Sequence, residues 1–239
     1  VQELATEYLT EQGITILNNV TLDSVSNDGN KPVIKANNQN YTFDAVLYAT
    51  GRKANTANIG LEHTDIVTNE RGAIVVNDTC ESSVPGVYAV GDVNGGPQFT
   101  YVSLDDFRIV FGALTGNGQY TLKDRKNIPY TTFLTPPLSR VGLTEEDAIN
   151  QGYTVKTKEM LVATMPRAHV NDYLKGAFKI VVDADNDLIL GATLYSQGAE
   201  ELINLIKMAM DNNIPYTYFK NQIFTHPTMA ENLNDLCNF

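Results

Sequence analysis

The run Thr225-His226-Pro227-Thr228-Met229-Ala230-Glu231 sets a histidine beside a proline and a carboxylate five residues further on. Histidine is the side chain whose proton moves near neutral pH, and a carboxylate within reach holds the ring and favours its charged form. That is the equipment of a general acid/base. Alone the motif is weak, since a lone histidine more often fills a structural role and the chain has only three, His63, His169 and His226. The other two stand in polar, loop-like stretches without spaced ligands, and no metal site is expected.

Two further runs could meet a ligand. Val46-Leu47-Tyr48-Ala49-Thr50-Gly51-Arg52 reads as a buried strand that closes in a tight turn of small residues. Val87-Tyr88-Ala89-Val90-Gly91-Asp92-Val93 reads as a second strand that closes in Gly-Asp. Glycine there lets the backbone approach a ligand closely, and the Asp can accept hydrogen bonds from ligand hydroxyls. Taken singly, each run is equally an ordinary exit from a strand.

The elements that must position these residues follow from periodicity. Residues 1–12 read as a helix with Leu4, Tyr8 and Leu9 on one face and Gly13 as its stop. Short β-like runs follow at 14–17, 20–25, 33–35, 41–43 and 46–48, separated by Asn- and Gly-rich turns, with another pair at 74–76 and 87–90. A helix over 100–114 carries Leu104, Phe107, Phe111 and Leu114 as its apolar stripe, and the polar stretch 115–127 reads as a linker. Beyond it a strand at 130–134 leads through Pro136-Pro137 to a short helix that Thr144 would cap. Strands at 154–163, 177–183 and 188–195 form an antiparallel meander, followed by a helix over 199–211 and two short helices flanking His226-Pro227. The Leu202, Ile203, Ile206, Ala209 and Met210 face of the longer helix reads as core or dimer contact. Strands followed by helices on one face make this second part an α+β domain.

Composition narrows the class. A chain of 239 residues suits one large domain or two ordinary ones. A net charge of −11 argues against nucleic acid or an anionic membrane as partner. Cys80 and Cys237 lie far apart without C-x-x-C spacing, which fits a reducing, cytoplasmic setting and offers no disulfide framework. No apolar run reaches the length of a membrane span, and no signal peptide opens the chain. The start, Val1-Gln2-Glu3-Leu4, lacks Met and reads as mid-helix, which suggests a piece of something longer.

In order, an A-T-G strand end, a Y-A-x-G-D strand end about forty residues on and then a helix resemble the FAD-binding half of the pyridine nucleotide–disulfide oxidoreductases. Glutathione reductase, lipoamide dehydrogenase and mercuric reductase belong to that family. Its interface domain opens with P-P-x-x-x-V-G-L-T-E and closes with H-P-T-x-x-E. Here these are Pro136-Pro137-Leu138-Ser139-Arg140-Val141-Gly142-Leu143-Thr144-Glu145 and His226-Pro227-Thr228-Met229-Ala230-Glu231. The stretch from Gly91 to Arg108, with Pro166-Arg167-Ala168, looks like the reactive-chlorine-resistance and hypothiocyanous-acid reductase subgroup.

The resemblance implies a fold of α/β and α+β parts: a partial FAD/NAD(P)-binding, Rossmann-like portion, then an α+β interface domain with an antiparallel sheet. Residues 1–45 would be the tail of the NAD(P)H-binding domain, 46–122 the C-terminal part of the FAD-binding domain and 123–239 the interface (dimerisation) domain. Asp92 in the Gly91-Asp92 turn would bind the ribityl chain of FAD. Phe99, Thr100 and Tyr101 would lie close to the flavin, the helix N-terminus behind them favouring negative charge there. Ala49, Thr50 and Gly51 would pack against the cofactor. His226, oriented by Glu231, would be the acid/base that serves the redox thiols of the other subunit, and Pro227 would follow a cis peptide bond.

Absences limit the expectation. No G-x-G-x-x-G and no C-x-x-x-x-C occurs in the chain. Cys80 reads as structural, and Cys237 is a single thiol just past the histidine motif. FAD and NAD(P)H are expected in a full-length parent and not in this chain alone. The expected partners are a second copy in a two-fold dimer and a missing N-terminal half. The competing reading is a dimerisation module without bound FAD and without catalysis.

Overall fold

The computed structural model describes residues 1–239, which divide into two compact units: residues 1–18 with 126–239, and residues 19–125. Residues 1–45 are thus shared between the two. Helix α1 (Gln2–Glu11) opens the chain and packs with the first of these units.

The unit 19–125 begins with a three-stranded antiparallel sheet in sequence order, β1 (Leu22–Asn27), β2 (Pro32–Ala36) and β3 (Gln39–Thr42). Asn residues at positive φ, Asn37 and Asn38, turn β2 into β3. The expected strands at 14–17 and 46–48 do not form. Both segments run without ladder partners, and Leu47 in the run expected to be buried is 90% exposed. An extended segment becomes a strand only when a neighbour takes its backbone hydrogen bonds, and these have none in the chain. The pairs expected at 74–76 and 87–90 shrink to single bridges, Thr68 with Ile74 and Glu81 with Tyr88.

Helix α2 (Thr100–Thr115) ends at Gly116 in the left-handed conformation. Its buried positions are Val102, Asp106 and Ile109, one stripe at helical spacing. The apolar stripe of Leu104, Phe107, Phe111 and Leu114 faces outward and is exposed. The helix therefore turns a carboxylate inward and leaves its greasiest side uncovered.

The other unit is built on a five-stranded sheet of order β4-β5-β8-β7-β6, antiparallel throughout: β4 (Tyr130–Thr132), β5 (Leu138–Gly142), β6 (Val155–Leu161), β7 (Ala177–Asp183) and β8 (Ile189–Tyr195). Helix α3 (Glu145–Asn150) follows β5 and is capped as expected, with Thr144 and Asp147 each accepting from the other's backbone N–H. Helix α4 (Pro166–Val170) follows β6. Phe178, Ile180 and Val182 alternate along β7, and with Ala192 and Leu194 of β8 they form a wholly apolar face. Against it pack α5 (Ala199–Asp211) through Leu202, Ile203, Ile206 and Ala209, α6 (Tyr216–Asn221) through Tyr216 and Phe219, and α7 (Leu233–Leu236) through both its leucines. Tyr195, next to Leu194 and so pointing the other way, meets Tyr8 of α1 with ring centroids 6.0 Å apart. Gly176 precedes β7 at φ +125°, where a Cβ would strike the Tyr195 carbonyl oxygen; only glycine fits.

Candidate active-site residues

The histidine motif lies between α6 and α7. The His226–Pro227 peptide bond is cis, as expected, and so is Thr135–Pro136. His226 Nδ1 lies 2.8 Å from Glu231 Oε2. With a carboxylate as partner Nδ1 carries the hydrogen and donates it, and the ring is 70% exposed while Glu231 is 20% exposed. Nε2 is the nitrogen left to take or give a proton.

The second oxygen of Glu231 accepts the Thr228 backbone N–H at 3.0 Å, and the Glu231 N–H donates to Thr228 Oγ1 at 3.2 Å. Thr228 Oγ1 in turn donates to the Thr225 carbonyl. The His226 contact first and the Thr228 N–H second hold the Glu231 carboxyl below its ordinary 4.5. Thr228 thus orients the carboxylate that orients the ring, a role its place inside the motif does not announce.

Behind the motif, amide and ammonium hydrogen bonds add to the apolar packing of Leu233, Leu236 and Cys237. Asn232 donates to the Thr228 and Met229 carbonyls, and Asn234 donates to those of Phe219 and Gln222 at 2.6 and 2.9 Å. Lys158 of β6 donates to the Asp235 and Asn238 carbonyls at 2.7 and 2.6 Å, where α7 ends. None of these three stood out in the sequence, since single Asn and Lys residues among polar neighbours look like surface residues.

In the unit 19–125, Gly91 begins a single 3₁₀ turn (Gly91–Asn94) with φ +74°, and a Cβ on it would sit 2.8 Å from Ser103 Oγ. Asp92 Oδ2 is paired with Arg52 Nη1 at 2.7 Å, both side chains being partly exposed. Arg52 directly follows Ala49-Thr50-Gly51, so the A-T-G run and the Gly-Asp turn meet through this pair. Ala49, Thr50 and Gly51 are exposed, and Gly51 has φ +105°. Phe99 and Tyr101 stack at 5.0 Å on either side of Thr100, the first residue of α2.

The turn is tied down from beneath by residues that sequence reading missed. Asp106 is fully buried and accepts from Gly91 N–H at 2.7 Å and from Asn94 Nδ2 at 2.9 Å. Its other oxygen accepts from the guanidinium of Arg125, which also bonds Asp105 at 2.7 Å and is 11% exposed. Arg125 belongs to the stretch expected to be a linker. Its seat inside the unit could not be inferred from a run of mixed charges.

The remaining candidates are inert. Cys80 is buried, and burial first, with the Asp106 carboxylate second, pushes its thiol up to about 11. Burial pushes Cys237 up to about 12. Neither is a thiolate at neutral pH. His63 is exposed beside Glu62, and His169 Nε2 lies 2.8 Å from the Ala163 carbonyl. No group of three or more His, Cys, Asp or Glu side chains is arranged to hold a metal ion, and no helix is long and apolar enough to cross a membrane.

Residues 1–106 match the family model described as pyridine nucleotide-disulphide oxidoreductase, and residues 128–237 match that family's dimerisation domain. The chain is 44% identical, over 95% of its length, to a probable pyridine nucleotide-disulfide oxidoreductase, RclA, of Escherichia coli, of which it covers 52%. It is 34% identical, over 98% of its length, to a mercuric reductase of Staphylococcus aureus, of which it covers 43%. Among solved structures it resembles the HOCl-induced flavoprotein disulfide reductase RclA of Escherichia coli, with TM-score 0.94 and 42% identity over 98% of this chain and 54% of that one. The chain thus spans about half the length of the curated relatives it matches.

Proposed function

The chain belongs to the pyridine nucleotide–disulphide oxidoreductases, and from that membership we propose that it is the C-terminal half of an enzyme that carries electrons from NAD(P)H to an oxidised substrate. The family is FAD- and NAD(P)H-dependent. The observation that carries the reading is the His226–Glu231 contact at 2.8 Å, an exposed imidazole held by a carboxylate that is itself held by backbone.

The residues present fit one side of the cofactor. The Gly91-Asp92 turn has no room for a Cβ and ends in a partly exposed carboxylate, the acceptor that a ribityl hydroxyl needs. Asp92 would hold the ribityl chain, Ala49, Thr50 and Gly51 would lie against the cofactor, and Phe99, Thr100 and Tyr101 would stand near its ring. What FAD supplies when bound is two-electron transfer between a nicotinamide and a thiol pair. This chain's own part is to orient and to manage protons. Glu231 keeps the hydrogen on Nδ1 of His226, so that Nε2 takes the proton of the attacking redox thiol of the partner subunit and gives it to the leaving group of the substrate as that is reduced.

The proposed domain roles are residues 1–45 for the tail of the NAD(P)H domain, 46–122 for the returning FAD domain and 123–239 for dimerisation. The partner is a second copy, joined through the dimerisation domain. The exposed stripe on α2 and the unpaired residues 46–48 are the surfaces that an N-terminal half would cover. A disulfide or a small oxidant of the hypothiocyanous-acid type is the proposed substrate, supported by the higher identity to RclA than to mercuric reductase. The free buried cysteines suit a reducing cytoplasm.

A second reading applies to the 239 residues on their own. With no glycine fingerprint and with both thiols buried, they would act as a dimerisation module that neither retains FAD nor relays electrons. The second reading is tested on the 239-residue chain, which should purify without flavin absorbance. The first is tested on the full-length protein, where it requires bound flavin and a His226→Asn variant that loses turnover. Wild-type turnover by that variant removes His226 from the mechanism.

A further inference from the structure

We infer that Asp106, locked by Arg125, is the positioning residue for the Gly91–Asp92 turn, setting where Asp92 presents its carboxylate. The inference rests on the reading of Asp92 as a cofactor-binding residue. A buried carboxylate is strongly unfavourable unless its lone pairs are filled. Those of Asp106 are filled from two places: the turn supplies the Gly91 N–H and the Asn94 amide, and Arg125 supplies the guanidinium.

The turn has little freedom to answer in another way. Gly91 is held in the left-handed region with Ser103 against its open side, and Asn94 accepts the Gly96 N–H at 3.0 Å, so the turn is closed on itself. An apolar side chain at position 106 would fill the space yet orphan the Gly91 N–H where the bridge pairing ends. Arg125 is coupled in the same way, because without Asp106 its guanidinium would lie buried with only Asp105 as counter-charge. The inward carboxylate of α2 is thereby explained: it serves the turn, while Val102 and Ile109 serve the core.

The test compares wild type, D106L, D106N, R125Q and the core control I109A. Hydrogen exchange of the Gly91 amide is followed by NMR in the 239-residue chain, and FAD affinity is followed in the full-length protein. D106L should speed Gly91 exchange roughly tenfold or more and weaken FAD by a similar factor. D106N, which keeps an acceptor oxygen, should fall between it and wild type, and R125Q should follow D106N. I109A should lower the melting temperature as much as D106L does but leave the Gly91 amide protected relative to its neighbours. Should D106L fail to fold, D106N and R125Q carry the same comparison. Gly91 exchange unchanged in these variants, or raised equally in I109A, overturns the inference. D92A separates the two claims: it should weaken FAD while Gly91 stays protected. If D92A binds FAD as wild type does, the reading of Asp92 falls and the purpose assigned to Asp106 falls with it, even where Gly91 remains held.

Discussion

Replacing Leu236 with alanine should loosen the histidine motif from a distance. Leu236 lies in α7, a helix of four residues that has no stability of its own. Its hold on the sheet comes from buried Leu233, Leu236 and Cys237 and from polar pins: Lys158 on the Asp235 and Asn238 carbonyls, and Asn234 on those of Phe219 and Gln222. Truncating a fully buried leucine costs about 3 kcal/mol, within a range of roughly 2–5. The two Lys158 bonds, made by a partly solvated ammonium, contribute about 1–2 kcal/mol together. Burial therefore outweighs the pins, and L236A should exceed K158M in effect. If α7 opens as a local unit, about 3 kcal/mol corresponds to roughly a hundredfold faster hydrogen exchange across residues 226–236. Peptides covering β7 and β8 should change far less. Mass-spectrometric exchange on both variants decides the matter. Unchanged exchange around His226 in L236A, or a larger effect from K158M, would refute the reasoning that apolar docking of α7 sets the motif.

Two further outcomes are expected. Glu231 titrates below 4.5 because His226 and the Thr228 N–H favour its charged form, so its contribution to stability is present above pH 4.5 and is lost as pH falls through its folded value. H226N removes the largest cause, and carbon-detected NMR should show the Glu231 carboxyl titrating closer to 4.5; an unmoved titration would mean that the contact does not exist in solution. The chain should also sediment as a dimer of 26.3 kDa subunits, and I223D, a charge at an apolar side chain that stands exposed three residues before His226, should shift it toward monomer without lowering its melting temperature. A wild-type chain that stays monomeric at micromolar concentration sinks the dimer proposal.

Local and repetitive features were legible in advance. The antiparallel meander, the capping of α3 by Thr144 and the buried face of α5 follow from two- and 3.6-residue periods that one segment carries by itself. The contact of His226 with Glu231 was visible as spacing within one loop. What escaped depends on partners remote in sequence. Residues 46–48 carry a strand's apolar composition, yet a strand is a property of pairs, and no segment of this chain pairs with them. On α2, the apolar stripe suggested an inward face at Phe107 and Phe111, whereas the helix turned to bring Asp106 to Gly91, fifteen residues away, and to Arg125. Such a carboxylate looks like any surface charge until both of its partners are placed.

Turnover of the full-length protein with and without the His226 imidazole tests the central claim most directly. With NAD(P)H and an oxidised substrate, H226N should keep its flavin and its flavin reduction by NAD(P)H while substrate turnover falls about 10²–10⁴-fold. A colourless full-length protein, or an H226N variant that turns over like wild type, would contradict the account.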